Sequence, residues 1–135
     1  MTNTEALQAI LAKVGEFTGM PMQYVQMANA KRVGGKVFEP PKDDIWAKVY
    51  VKNAGSRITE IGEKPNKRTV GIVYVQLFAP QFSGTLELSK LADKWAEHLQ
   101  YYKLTGLELR EASIIDVGES NGYYQFNVQV SYVVN

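Results

Sequence analysis

The residues of this 135-residue chain whose types could do chemistry are one histidine, two adjacent aspartates and a serine beside a glycine. His98 is the single histidine, so no His-His or His-x-x-x-His metal pair exists, and any base for Ser83 would have to be this one residue. Ser83 lies in Gln81-Phe82-Ser83-Gly84-Thr85, which lacks the Gly-x-Ser-x-Gly elbow that lifts a nucleophile out of a strand-to-helix turn. Asp43 and Asp44 follow two prolines and precede a strand; a carboxylate pair there could bind a cation, but turn chemistry explains it more simply. Gly34 and Gly35 stand beside Lys31, Arg32 and Lys36, yet no Gly-Lys-Ser/Thr follows, so the segment reads as an exposed loop rather than a phosphate cradle. With no cysteine, thiolate catalysis, disulfides and Cys-based metal sites are excluded. No catalytic residue, metal ligand or cofactor is expected.

Fifteen Lys and Arg against fourteen Asp and Glu give a net charge of +1. That balance argues against a dedicated nucleic-acid binder, which needs an excess of clustered cations to displace counterions from phosphate. A binder built on Lys31, Arg32, Lys36, Lys64, Lys67 and Arg68 is the competing reading from a different class. The N-terminus lacks the charged-then-apolar layout of a secretory signal, and no apolar run approaches the ~20 residues that span a bilayer, so a soluble, unexported protein is expected.

Thr2 and Glu5 have capping-box spacing, and Ala6, Leu7, Ile10, Leu11, Val14 and Phe17 recur at helical intervals before Gly15, Gly19 and Pro21 end the pattern. A weak strand is expected around Met22-Gln23-Tyr24-Val25-Gln26-Met27. From Ile45, alternation puts Ile45, Ala47, Val49 and Val51 on one face and Trp46, Lys48, Tyr50 and Lys52 on the other. Residues 69–79 are apolar on both faces, which predicts a central strand. A helix follows, with Thr85 at its N-cap, Leu88, Leu91, Ala92, Trp95, Leu99 and Tyr102 on its buried face, and Gly106 closing the region. Two further strands are joined by Asn121-Gly122, whose tolerance of positive φ suits a primed hairpin turn. The expected fold is one α+β domain over 1–135: a mainly antiparallel sheet of four to five strands, two helices packed on one face, and flexible loops about 29–42 and 53–68.

Phe38-x-Pro40-Pro41, Arg68-Thr69-Val70-Gly71-Ile72, Val75-x-Leu77-Phe78-x-Pro80, Ser83-Gly84-Thr85 and Leu91-Ala92-Asp93 occur in that order, and a C-terminal strand beginning at Gly122-Tyr123-Tyr124 follows them. Over residues 38–132 this order resembles the phage tail-terminator-like family of small virion proteins, related in fold to the lambda-type tail terminator. The loop 29–36 is longer than the pattern calls for. The resemblance implies a structural role without catalysis: a homo-oligomeric ring, typically of six copies, on the head-proximal end of the virion tail. There it would stop polymerisation of the tail tube protein and meet a neck or head-completion protein. A neck or minor tail component built on the same body is the neighbouring alternative. Two partner surfaces are expected. One is a charged arm carrying Arg57, Glu60, Glu63, Lys64, Lys67 and Arg68, with a solvated hairpin as the plainer reading. The other is a set of interface aromatics, Trp46, Tyr50 and Tyr123, with Tyr101, Tyr102 and Tyr124 in reserve; ordinary half-burial accounts for these equally well.

Overall fold

The computed structural model describes residues 1–28, 38–58 and 67–135, and the side chains of all of these except 56–58 and 67. Helix α1 (Asn3–Gly15) starts on the expected capping box: Thr2 accepts from the Glu5 backbone N–H and Glu5 from that of Thr2, each at 3.1 Å. Two orphan donors of the first turn are thereby satisfied. Ala6, Ile10 and Val14 form its buried stripe. A single 3-10 turn (Met22–Tyr24) then leads into strand β1 (Val25–Met27).

Strands β2 (Trp46–Ile58), β3 (Lys67–Pro80), β5 (Leu107–Ser120) and β6 (Tyr123–Val134) form the body of the sheet. Helix α2 (Leu86–Leu99) and the two-residue strand β4 (Lys103–Leu104) lie between β3 and β5. The sheet order is β1-β2-β3-β6-β5-β4. All neighbours are antiparallel except β1 and β2, which are parallel. The fold is α+β as expected, but the sheet has six strands and is mixed, not four to five and antiparallel. The weak strand expected around 22–27 is present as β1, where its parallel pairing with β2 makes the sheet mixed; the added strand is the two-residue β4, too short to carry a readable alternation.

β3 is central, and its alternation is strict: Val73, Val75, Leu77 and Ala79 are buried while Ile72, Tyr74, Gln76 and Phe78 are half-buried. The buried set faces Val128 and Val130 of β6, Ala47 and Val49 of β2, and the inner stripes of both helices. Phe17, just beyond α1, stacks on Trp95 of α2 at 3.9 Å between ring centroids, tying the two helices over one face of the sheet. α2 ends at Leu99, three residues short of the expected Tyr102, because Tyr101 turns into the left-handed region at φ 63. Thr85 occupies the N-cap position of α2 without a side-chain capping bond. Gly106, at φ 88, makes the β4–β5 turn and does not cap the helix.

Within the loop expected over 53–68, residues 53–58 and 67–68 are strand, and 59–66 lie outside the described residues. β2 continues past its apolar alternation through a bulge between Asn53 and Gly55, where the Asn53 side chain accepts from the Gly55 N–H at 2.8 Å. Gly55 sits at φ +116, which a residue with a Cβ adopts only under strain. Of the expected loop 29–42, residues 29–37 lie outside the described residues and 38–42 adopt no regular element.

Candidate functional site: partner-contact surfaces

Ser83 and His98 are each engaged in a structural hydrogen bond. Ser83 Oγ donates to the Pro80 carbonyl at 2.6 Å, closing the turn after β3. His98 Nε2 lies 2.5 Å from the Lys13 carbonyl oxygen, joining α2 to the last turn of α1, and its ring leans on Phe17 and Trp95. Serine and histidine therefore form no nucleophile–base pair. Asp44 lines an open groove of about 490 Å³ with Met20, Tyr24, Leu91, Lys90 and Lys94. Among the described residues no group of three His, Cys, Asp or Glu could hold a metal ion, and no helix is long and apolar enough to cross a membrane.

The expected arm is the far end of the β2–β3 ribbon. Its register places Arg57 opposite Arg68 and Ile58 opposite Lys67. β6 accompanies β3 only as far as Thr69, so the ribbon runs past the body of the sheet. Arg68 is exposed, and its Nε donates to the Asn135 side chain at 3.2 Å. Glu60, Glu63 and Lys64 lie outside the described residues, as do the side chains of Arg57 and Lys67.

The three aromatics all lie on the sheet face turned away from the helices, but they are not equivalent. Trp46 is only 9% exposed. Its ring stacks on Phe78 at 4.4 Å with an interplanar angle of 19°, and Tyr123 and Phe38 meet it at 5.7 Å. Its indole N–H has no partner among the described residues. Trp46 is thus the centre of a small second core, with Tyr123 as its half-buried rim. Tyr50 is half-buried two pleats further along the same face, with Lys48 Nζ 5.1 Å from its ring centroid. Of the reserve set, Tyr101 is exposed, Tyr102 packs against the main core under Lys13, and the Tyr124 hydroxyl donates to Asp116 Oδ2 at 3.0 Å. The carboxylate at the end of that bond pushes the Tyr124 phenol above its ordinary value.

Two surfaces were not anticipated. Phe82 is 94% exposed at the tip of the turn after β3, on a backbone at φ 65. β5 carries Ile114, Ile115 and Val117 in the open, because β4 pairs only with its first two residues. The adjacent pair Ile114-Ile115 in an otherwise polar stretch was the available signal for the second.

A search of curated proteins returns no match. One solved structure is similar to this chain over 100% of its length and 97% of its own, with a TM-score of 0.71 and 15% identity. At that identity the likeness concerns the fold alone. The family model described as phage tail terminator protein matches residues 4–132, nearly the whole chain and wider than the span over which the motifs were read. The chain belongs to the phage tail terminator protein family.

Proposed function

We propose that this protein is the tail terminator of a phage virion, a ring of six copies that caps the head-proximal end of the tail tube. The ring stops addition of further tube protein and offers its opposite surface to a neck or head-completion protein. The match of the family model to residues 4–132 carries this reading. The family is a structural one, and the engaged Ser83 and His98 agree with a role in assembly rather than catalysis. In this reading the β2–β3 ribbon is the arm that docks on the tube or the joining protein, and its charges set specificity more than affinity. Assembly takes place in the host cytoplasm and the product resides in the virion tail.

A neck connector or minor tail protein is the second reading, since the same small body serves either position. Electron microscopy of particles formed without this gene separates them. Overlong, headless tails support capping; tails of normal length without heads move the protein to the neck; absence of tails makes it a tube or initiation component. Nucleic-acid binding is disfavoured by the net charge of +1, and binding that falls steeply with salt would restore it.

A further inference from the structure

We propose that copies of this chain join edge to edge, with the open edge of β5 in one copy pairing antiparallel with the open edge of β2 in the next. This rests on the ring reading and names the contact that builds it. Among the described residues, β1 covers β2 only at Ala47, Lys48 and Val49, and β4 covers β5 only at Leu107 and Glu108. Just beyond, Tyr102 receives the Leu109 N–H and the Gln100 side chain that of Ala112. That leaves residues 113–120 of β5 and, beyond the Ala28 N–H bond to the Val49 carbonyl, 50–57 of β2 without a lateral neighbour strand among the described residues, and an unpaired edge is a template for another strand. Ile114 and Ile115 point to opposite faces yet are both about two-fifths exposed, as expected where the missing cover is lateral.

The edges fit each other better than either fits itself. β5 contains Glu108, Glu111, Asp116 and Glu119 against one cation, Arg110, whereas β2 contains Lys48, Lys52 and Arg57 and no acid. A two-fold β5–β5 pair would bring acids together and a β2–β2 pair would bring cations together, both unfavourable. Only the β5–β2 pair avoids this, and it is heterologous, the class that propagates around a ring. In the sheet β2 and β6 run one way and β3 and β5 the other, so continuing the sheet from one copy into the next sets β5 antiparallel to the neighbour's β2.

The partial strands fix the register. If Ser120 lies opposite Tyr50, β5 ends beside Met27, the last residue of the neighbour's β1, and Ser113 falls opposite Arg57. The bulge of β5 between Asp116 and Gly118 then comes level with that of β2 between Asn53 and Gly55, so both strands bend at one height. Within one copy Ser113 is level with Tyr50 through Gln129 and Tyr74, so each neighbour steps by about seven residues, or ~23 Å, along the strands. Against four strand spacings of ~4.8 Å this tilts the strands by about 50°, slightly steeper than the 35–45° usual in closed barrels.

The natural absence of cysteine allows a direct test. Directly opposed residues of an antiparallel pair lie within disulfide reach. On mild oxidation the double variant Tyr50→Cys/Ser120→Cys should give a reducible ladder of covalent oligomers, while each single variant stays monomeric on a denaturing gel. Dimers from Ser120→Cys alone would show two-fold pairing and overturn the proposal, as would a double variant that gives no ladder. A cysteine-free check is Ile115→Lys/Val117→Lys, which changes two exposed positions. Its thermal melt should match the wild type while the concentration needed for self-association rises by about tenfold or more; unchanged association would count against the edge contact. Tail length in the gene deletion reports on capping separately. Overlong tails with no ladder would retire the edge contact and keep the cap; a ladder with tails of normal length would do the reverse.

Discussion

The ring of Tyr132 occupies the space where a side chain on Gly71 would stand. The two residues are directly paired across β3 and β6, and a Cβ built on Gly71 meets the tyrosine ring on one side and the Lys52 carbonyl on the other. Gly71 is therefore needed for close approach and not for backbone freedom, which gives the Arg68-Thr69-Val70-Gly71-Ile72 block a physical reason. Gly71→Ala should destabilise the fold by about 1–3 kcal/mol through overpacking. Denaturant unfolding checks it. Tyr132→Leu in the same chain should recover only part of the loss, because the Lys52 carbonyl stays in place.

Trp95 is fully buried and stacked on Phe17, and its indole N–H has no partner among the described residues. Trp95→Ala removes the contact that ties the two helices and should cost about 3–5 kcal/mol. Trp95→Phe keeps an aromatic against Phe17 and deletes the unpartnered donor, so its cost should be less than half of that in the same unfolding measurement.

The main elements were legible in the sequence because their periods are long and clean: α1 from its capping box, β3 from its two-sided apolar run, and the β5–β6 hairpin from Asn121-Gly122. What was not legible has local causes. Asn53, Gly55 and Ser56 read as loop formers, yet here they make a bulge inside a strand, because the Asn53 side chain satisfies the Gly55 N–H. Tyr101 reads as a helical residue and instead ends α2 at positive φ. Alternation correctly put Trp46 on the face away from the helices, but its cover by Phe38, Phe78 and Tyr123 depends on cross-strand register, which alternation does not give. The open edge of β5 was missed for a related reason: being an edge is a property of strand order, not of composition.

The capping box of α1 predicts an acid-sensitive contribution to stability. The Glu5 carboxylate accepts from the Thr2 backbone N–H, and this bond holds its carboxyl below the ordinary 4.5. A depressed folded value means that the stabilisation is fully present above the unfolded value of about 4.5 and is lost as pH falls through the folded one. The difference in unfolding free energy between wild type and Glu5→Gln should therefore hold constant near neutrality and shrink in acid. A difference independent of pH would show that the carboxylate takes no part in the cap.

At the other end of the scale, the Tyr124–Asp116 bond should be visible spectroscopically. The raised phenol means that the bond's contribution is complete below pH 10 and is lost as pH rises through the folded value. Asp116→Asn removes the acceptor charge, so the Tyr124 titration should move down toward 10, and ultraviolet difference titration against a Tyr124→Phe control reads the shift.

The arm allows stability and function to be separated in one substitution. Arg57 and Arg68 are direct cross-strand neighbours, an arrangement that disfavours the ribbon by itself. Arg57→Glu replaces like charges with an opposite pair, so it should leave the melting temperature unchanged or raise it slightly, by the few tenths of a kcal/mol typical of such pairs. If the paired cations serve to meet an acidic surface on the tail tube or the joining protein, the same substitution should lengthen tails or leave them headless, and Arg57→Glu/Arg68→Glu should do so more strongly. The readouts are a thermal melt of the purified protein and tail lengths scored by electron microscopy in a complemented deletion. Normal tails from both variants would reduce the arm to a solvated hairpin.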